Sequence, residues 1–258
     1  RRQRQMCIRD SYLTRASDYI ISAKILVLLA IYSVFTIGIK IDALRSGLSY
    51  WEYILLAMQN MRYIILILCV VFILFLMAMY TKESTIAMIR CRSFFRLCII
   101  KFLSVTVFTL VLLLMHMAVS FILGIGLPLK NVYSETQRNN EVLEICSAIF
   151  PTPGEAVGWS FTYLFLGFSF FALIVQGVIL FFKKSVAVAL MMVIYLMMFF
   201  SVQRGIDRVF PYAFLNNYIF LPSALKYQCI WMFLAVGAIS SAAILLLIRF
   251  KWWWSEQR

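Results

Sequence analysis

The run YIILILCVVFILFLMAMY, residues 63–80, decides the fold. It holds no charged side chain, no glycine and no proline, and it is apolar on every side. A helix of that kind is buried in a large core or lies in lipid, and about 20 such residues cross a bilayer. Five further stretches read the same way, at about 20–41, 102–123, 159–182, 186–202 and 229–248. The expectation is an all-α polytopic membrane protein in which residues 12–258 form a single six-helix transmembrane domain.

Composition agrees. The 258 residues are 64% hydrophobic with a formal net charge of +13 and a mean hydropathy of +0.92, whereas soluble domains hold roughly 45–50% apolar residues. The positive charge does not mark a nucleic-acid partner, because the basic residues lie between apolar runs rather than on one polar face. Basic loops beside apolar spans mark the cytoplasmic side and contact with anionic lipid. With both termini inside, the inner segments carry twelve Lys and Arg in roughly 45 positions and the outer ones eight in roughly 80. Cytoplasmic termini are expected, although Arg204 and Arg208 go against the bias.

That count leaves out RRQRQMCIRDS, residues 1–11, which reads as the translation of a common transposase sequencing adapter and is expected to be a non-native scar. Its removal takes away four Arg and one Asp and leaves about +10. On this expectation the natural N-terminus before Tyr12 is missing. Cys69, Cys91, Cys98, Cys146 and Cys229 then remain, an odd number without C-x-x-C spacing, and they read as small apolar fillers.

Two connections stand out. The outer loop 128–158 is the long polar stretch, in which VLEICSAIF reads as a short surface helix ended by Pro151, Pro153 and Gly154. The segment before the last span, RGIDRVFPYAFLNNYIFLPSALKYQ, is aromatic but broken by Pro211 and Pro222, and is expected as one or two short interfacial helices. At the C-terminus, KWWWSEQR sets Trp252, Trp253 and Trp254 at the inner headgroup level.

Chemistry inside the six stretches is sparse. None contains Asp or Glu, and intramembrane charges are the usual mark of a proton or ion path. His116 and Gln176 are polar candidates for a substrate path, but such residues more often hydrogen-bond a neighbouring helix. There is no phosphate-binding G-x-x-x-x-G-K-[ST] loop and no H-E-x-x-H; a lone histidine builds neither a zinc site nor, without an acid nearby, a Ser-His-Asp set. No enzyme is expected in this chain.

The inner loop YTKESTIAMIRCRSFFRLCIIKF, residues 80–102, concentrates basic and apolar side chains. It reads as a positive-inside loop on lipid or as a short helix docking on a cytosolic partner. Its K-E-S-T-I-A-M-I-R, then R-S-F-F-R, then L-C-I-I-K resembles the stretch that follows the second span in type 2 ABC-transporter permeases. That pattern is E-x-x-x-G-T-[IL]-x-x-x-L followed by S-x-x-R and a Lys. Glu83, Thr85 and Ile86 match its first part, Ser93, Arg96 and Lys101 its second; the usual Gly is absent and the spacing after Glu83 is compressed.

The resemblance implies the membrane subunit of an ATP-driven exporter in a bacterial plasma membrane, paired with a second permease subunit, identical or related. It implies no cofactor in this chain, with ATP and Mg held by a separate cytosolic ATP-binding cassette subunit. Glu83, Arg90, Arg92, Arg96 and Lys101 would contact that partner, with Phe94 and Phe95 as apolar anchors, and the cargo would be amphipathic, lipid-like or peptidic. The alternative from a different class is a non-transporting accessory, immunity or sensor protein whose outer loop 128–158 binds a ligand.

Overall fold

The computed structural model describes residues 23–81, 94–134, 140–204, 211–226 and 230–256, and among these every regular element is a helix. Helix α1, Ala23–Ser46, has 24 residues and is roughly 36 Å long, enough for the ~30 Å hydrocarbon layer. Gly47 ends it with φ 68°, a left-handed conformation that glycine adopts without a Cβ penalty. The Leu48 N–H bonds the Ala43 carbonyl at 3.0 Å, which closes the C-terminal turn.

The chain then re-enters at once. Ser49 caps α2, Tyr50–Met58, accepting from the Glu52 N–H while Glu52 accepts from the Ser49 N–H, a reciprocal box that satisfies two orphan donors. At Gln59 and Asn60 the helix breaks. Asn60 caps a single turn, Met61–Tyr63, which continues through a π-helical stretch, Ile64–Leu68, into α3, Cys69–Thr81. Next come α4 (Phe94–Leu123), α5 (Glu141–Ser147), α6 (Pro153–Phe181) and α7 (Lys184–Arg204). A 3-10 turn, Pro211–Ala213, leads to α8 (Asn216–Ile219), α9 (Leu221–Lys226) and α10 (Ile230–Glu256).

Five stretches are long and apolar enough to cross a membrane: Lys24–Ser46, Tyr50–Met79, Phe95–Leu123, Pro153–Phe181 and Ile230–Phe250. The chain is a membrane protein on this ground. Around 186–202, the apolar part of α7 is the shorter Ser185–Ser201. The second span differs from expectation in a way that matters. It begins at Tyr50 rather than at 63, because the capping box at Ser49 starts the helix earlier, and so it includes an acid, Glu52. The spans are longer than the apolar stretches read from the sequence, and acids enter three of them: Asp42 in Lys24–Ser46, Glu52 here and Glu155 in Pro153–Phe181.

The middle three spans form the centre, with 44–50% of their apolar window buried, against 22% for α1 and 6% for α10. Leu26 and Val34 on α1 and Trp231, Ile239 and Leu247 on α10 are among the exposed apolar side chains. Such faces are unfavourable in water by roughly 25 cal/mol per Å² and cost nothing against lipid tails, which are as apolar as leucine.

The broken segment before α10 is helical where expected, but it is enclosed by protein. Asn217, Ile219, Phe220, Leu221 and Ala224 are fully buried. α6 provides much of that cover. At Gly167 the α6 backbone comes so close that a Cβ would collide with the Tyr218 carbonyl and lie 2.8 Å from the Ile219 Cα. Leu143 and Cys146 of α5 are likewise turned inward. The expected scar at residues 1–11 lies outside the described residues.

Gly167→Ala is expected to lower thermal stability in detergent by about 1–3 kcal/mol, because backbone cannot yield as a side chain does. Gly38→Ala, with nothing within 4 Å of the added carbon, should leave stability unchanged or raise it by up to ~1 kcal/mol. Paired unfolding curves of the two variants check the close approach.

Candidate functional site

Three polar centres lie along the bundle. At the end of α4 away from the 128–158 loop, Phe94 opens the helix, Phe95 is half-buried and Arg96 is exposed. Lys101, two turns further, is buried at 4% exposure and so offers a partner little surface. The candidates Glu83, Arg90 and Arg92 lie outside the described residues. The structure therefore puts Phe95, Arg96 and Lys101 on one rigid helix.

Mid-bundle, His116 is held by two hydrogen bonds. Its Nδ1 lies 2.7 Å from the Leu112 carbonyl, which can only accept, so Nδ1 carries the proton. That leaves Nε2 to accept from the Tyr63 hydroxyl at 2.6 Å. Ser120 donates to the His116 carbonyl at 3.1 Å and so accepts from the Tyr32 hydroxyl at 2.6 Å. The Tyr32 ring packs on both His116 and Tyr63, at centroid distances of 4.6 and 4.8 Å. Gln176 donates to the Cys98 carbonyl at 2.9 Å and so ties α6 to α4. Both residues bond across helices, and neither lines the two cavities described below.

The third centre lies at the end that carries the 128–158 loop. Glu52 is fully buried. One carboxylate oxygen accepts from the Ser49 N–H at 2.7 Å; the other accepts from the Ser134 N–H at 2.7 Å and the Ser134 hydroxyl at 2.9 Å. A buried acid with three donors is well satisfied, and it pins the loop to the start of α2. Further ties reinforce this cap: Tyr50 N–H to the Pro128 carbonyl at 2.9 Å, Gly154 N–H to Asn131 at 2.9 Å and Lys226 to Glu141 at 2.5 Å. Burial pushes the Cys146 thiol up to about 12 and raises the Tyr133 hydroxyl as well. The Tyr133 hydroxyl has no protein partner.

Two cavities open on this framework. One, of about 310 Å³, is apolar and lies between α6 and α10, with Leu166, Phe170, Phe233 and Gly237 among its walls. The other, of about 430 Å³, sits where the end of α1, the break after α2 and the start of α5 meet. Asp42, Ser46, Gln59, Asn60, Arg62 and Asn140 supply its polar lining. Among the described residues no three His, Cys, Asp or Glu side chains gather as metal ligands.

Glu52 and Gln59 were not singled out in the sequence. The signal for Glu52 was present: Gly47 as a helix stop, then Ser49-x-x-Glu52 as a helix start. Gln59 carries no comparable mark, since its position follows from where α2 breaks. Comparison with protein-family models, with curated proteins and with solved structures gives no match to this chain.

Glu52→Gln should lower stability by ~2–3 kcal/mol, because an amide cannot accept all three hydrogen bonds in the place of a carboxylate. Ser134→Ala should lower it by about 1 kcal/mol. In a chain whose sole cysteine is Cys146, a maleimide at pH 8 should label the native protein very slowly, since the thiol is buried and protonated. In the Glu52→Gln background labelling should accelerate as the cap loosens; equal rates would show that Glu52 does not hold it.

Proposed function

We propose that the chain is the permease subunit of an ATP-driven exporter of the type 2 ABC class, powered by a separate cytosolic ATP-binding cassette subunit. The carrying observation is α4. It runs unbroken for 30 residues, roughly 45 Å, so about ten residues exceed the ~30 Å hydrocarbon layer. The excess belongs at the Phe94 end, next to the basic inner loop. Arg96 thus sits on the same rod as His116, which is hydrogen-bonded to the second span, and Gln176 bonds the rod's inner part to α6. A partner that pushes the loop moves three spans together, the rigid-body shift that drives alternating packings.

The same reading orders the rest. α7, with 21 residues and roughly 31 Å of length, matches the hydrocarbon thickness and counts as the sixth span. Both termini lie in the cytoplasm, and the membrane is a bacterial plasma membrane. Energy comes from outside the chain: Glu52 is held by three donors and His116 by two partners, so neither is a free proton carrier. α10, sparsely covered within the chain, offers a face to a second permease subunit. The apolar cavity between α6 and α10 suits an amphipathic cargo.

One observation favours a second reading, an accessory or sensor membrane protein: the polar cavity at the end that bears the 128–158 loop. The inner loop separates the two. Arg92→Glu with Arg96→Glu should abolish co-purification of the ATP-binding cassette subunit and export, with insertion and unfolding temperature unchanged. Retained co-purification and export would remove the coupling role and leave the second reading.

A further inference from the structure

We propose that the polar cavity beside Gln59 binds a zwitterion in which a short link joins a primary ammonium to a phosphate, as in an ethanolamine-phosphate group. The site stands under either reading of function, because it depends only on how the end of α1, the α2 break and α5 meet.

Gln59 is the first ground. It is 3% exposed, and neither its amide oxygen nor its amide nitrogen has a protein partner. A buried amide left unmet at both ends is unfavourable and calls for a partner that the chain itself does not supply. Its neighbour Asn60 uses its side-chain oxygen on the Tyr63 N–H, and Asn140 uses its own on the Val142 N–H. Both keep an NH2 group as a donor.

Charge is the second ground. Asp42 and Arg62 both line the cavity, both are exposed, and among the described residues neither is in an ion pair. Arg62 with the amide donors of Asn60 and Asn140 suits a phosphate, which guanidinium binds in a forked geometry. Asp42 suits an ammonium. A simple anion would be repelled by Asp42 and a simple cation by Arg62, so a ligand carrying both charges fits best.

Size and lining agree. A volume of about 430 Å³ lies within the usual ligand range of roughly 300–1,000 Å³. Ile39, Leu48, Leu56 and Leu143 supply apolar walls for the carbon part of the ligand. Two sources share this chemistry: the headgroup of phosphatidylethanolamine, since the cavity lies at the ends of two spans, and free glycerophosphoethanolamine.

The test uses the full chain in nanodiscs of phosphatidylglycerol, which has no ammonium, and reads the unfolding temperature and intrinsic tryptophan fluorescence. One arm titrates glycerophosphoethanolamine from solution; the other replaces part of the lipid by phosphatidylethanolamine. A saturable rise in unfolding temperature is expected in at least one arm. A response to the soluble compound identifies a free ligand, and a response to the lipid alone identifies the headgroup. Asp42→Asn and Arg62→Gln, both at exposed positions, should each weaken the response at least tenfold without lowering the ligand-free unfolding temperature. Gln59→Leu should weaken it too, while leaving the ligand-free protein as stable or more so, because the unmet amide is gone. No response in either arm, or a response unchanged in Asp42→Asn and Arg62→Gln, overturns the proposal.

Discussion

Hydrocarbon gives leucine no reason to prefer another leucine, so the bundle depends on the hydrogen bonds that pass between its helices. Tyr63 to His116 joins the second span to α4, and Gln176 to the Cys98 carbonyl joins α4 to α6. Tyr163 to the Asn217 carbonyl, at 2.5 Å, joins α6 to the buried short helices. Asn216 reaches the Met198 carbonyl of α7 at 2.8 Å. Each tie contributes roughly 0.6–2 kcal/mol in lipid, and close packing at sites such as Gly167 does the rest. Most of the ties end on α4 or α6. These two helices are the frame, while α1 and α10 keep exposed apolar outer faces.

The end that carries the 128–158 loop is built on a different principle. There the chain makes sharp reversals, and Glu52 supplies the charge that holds them. Its three donors come from the start of its own helix and from Ser134, 82 residues later. A hydrogen-bonded cap beside a polar cavity marks one end of the described structure, and a long helical rod reaches the other. The proposed exporter would use both, and the proposed sensor mainly the first.

Much of this was legible in the sequence, for a physical reason. A segment that must satisfy all its backbone polar groups in lipid has to be helical and apolar, so composition alone locates it. Boundaries were less legible. α4 begins at Phe94 rather than near 102 because neither glycine nor proline interrupts the basic run before the span. α2 lies outside the apolar stretches because Glu52, Gln59 and Asn60 interrupt the hydrophobic run, although Ser49 and Glu52 spell a helix start. Polar side chains there serve caps and ties, which depend on three-dimensional neighbours such as Ser134. His116 and Gln176 were visible as polar residues among apolar ones, but their partners Tyr63 and Cys98 were not.

The π-helical stretch Ile64–Leu68 has a consequence for phase. The Cys69 N–H bonds back to Ile64, five residues away, rather than to the fourth. One residue is therefore accommodated without advancing the ladder, and a residue in an α-helix turns by about 100°. Side chains above the stretch, including Tyr63 where it meets His116, are thus clocked independently of those in α3. The insertion acts as an angular offset between two coaxial gears: one aims the polar end at α4 and the cap, while the other aims Phe72, Phe75 and Leu76 at the core. Loss of a single residue from this stretch would reunite the two halves in one register and misdirect one of them, although every side chain that remained was unchanged.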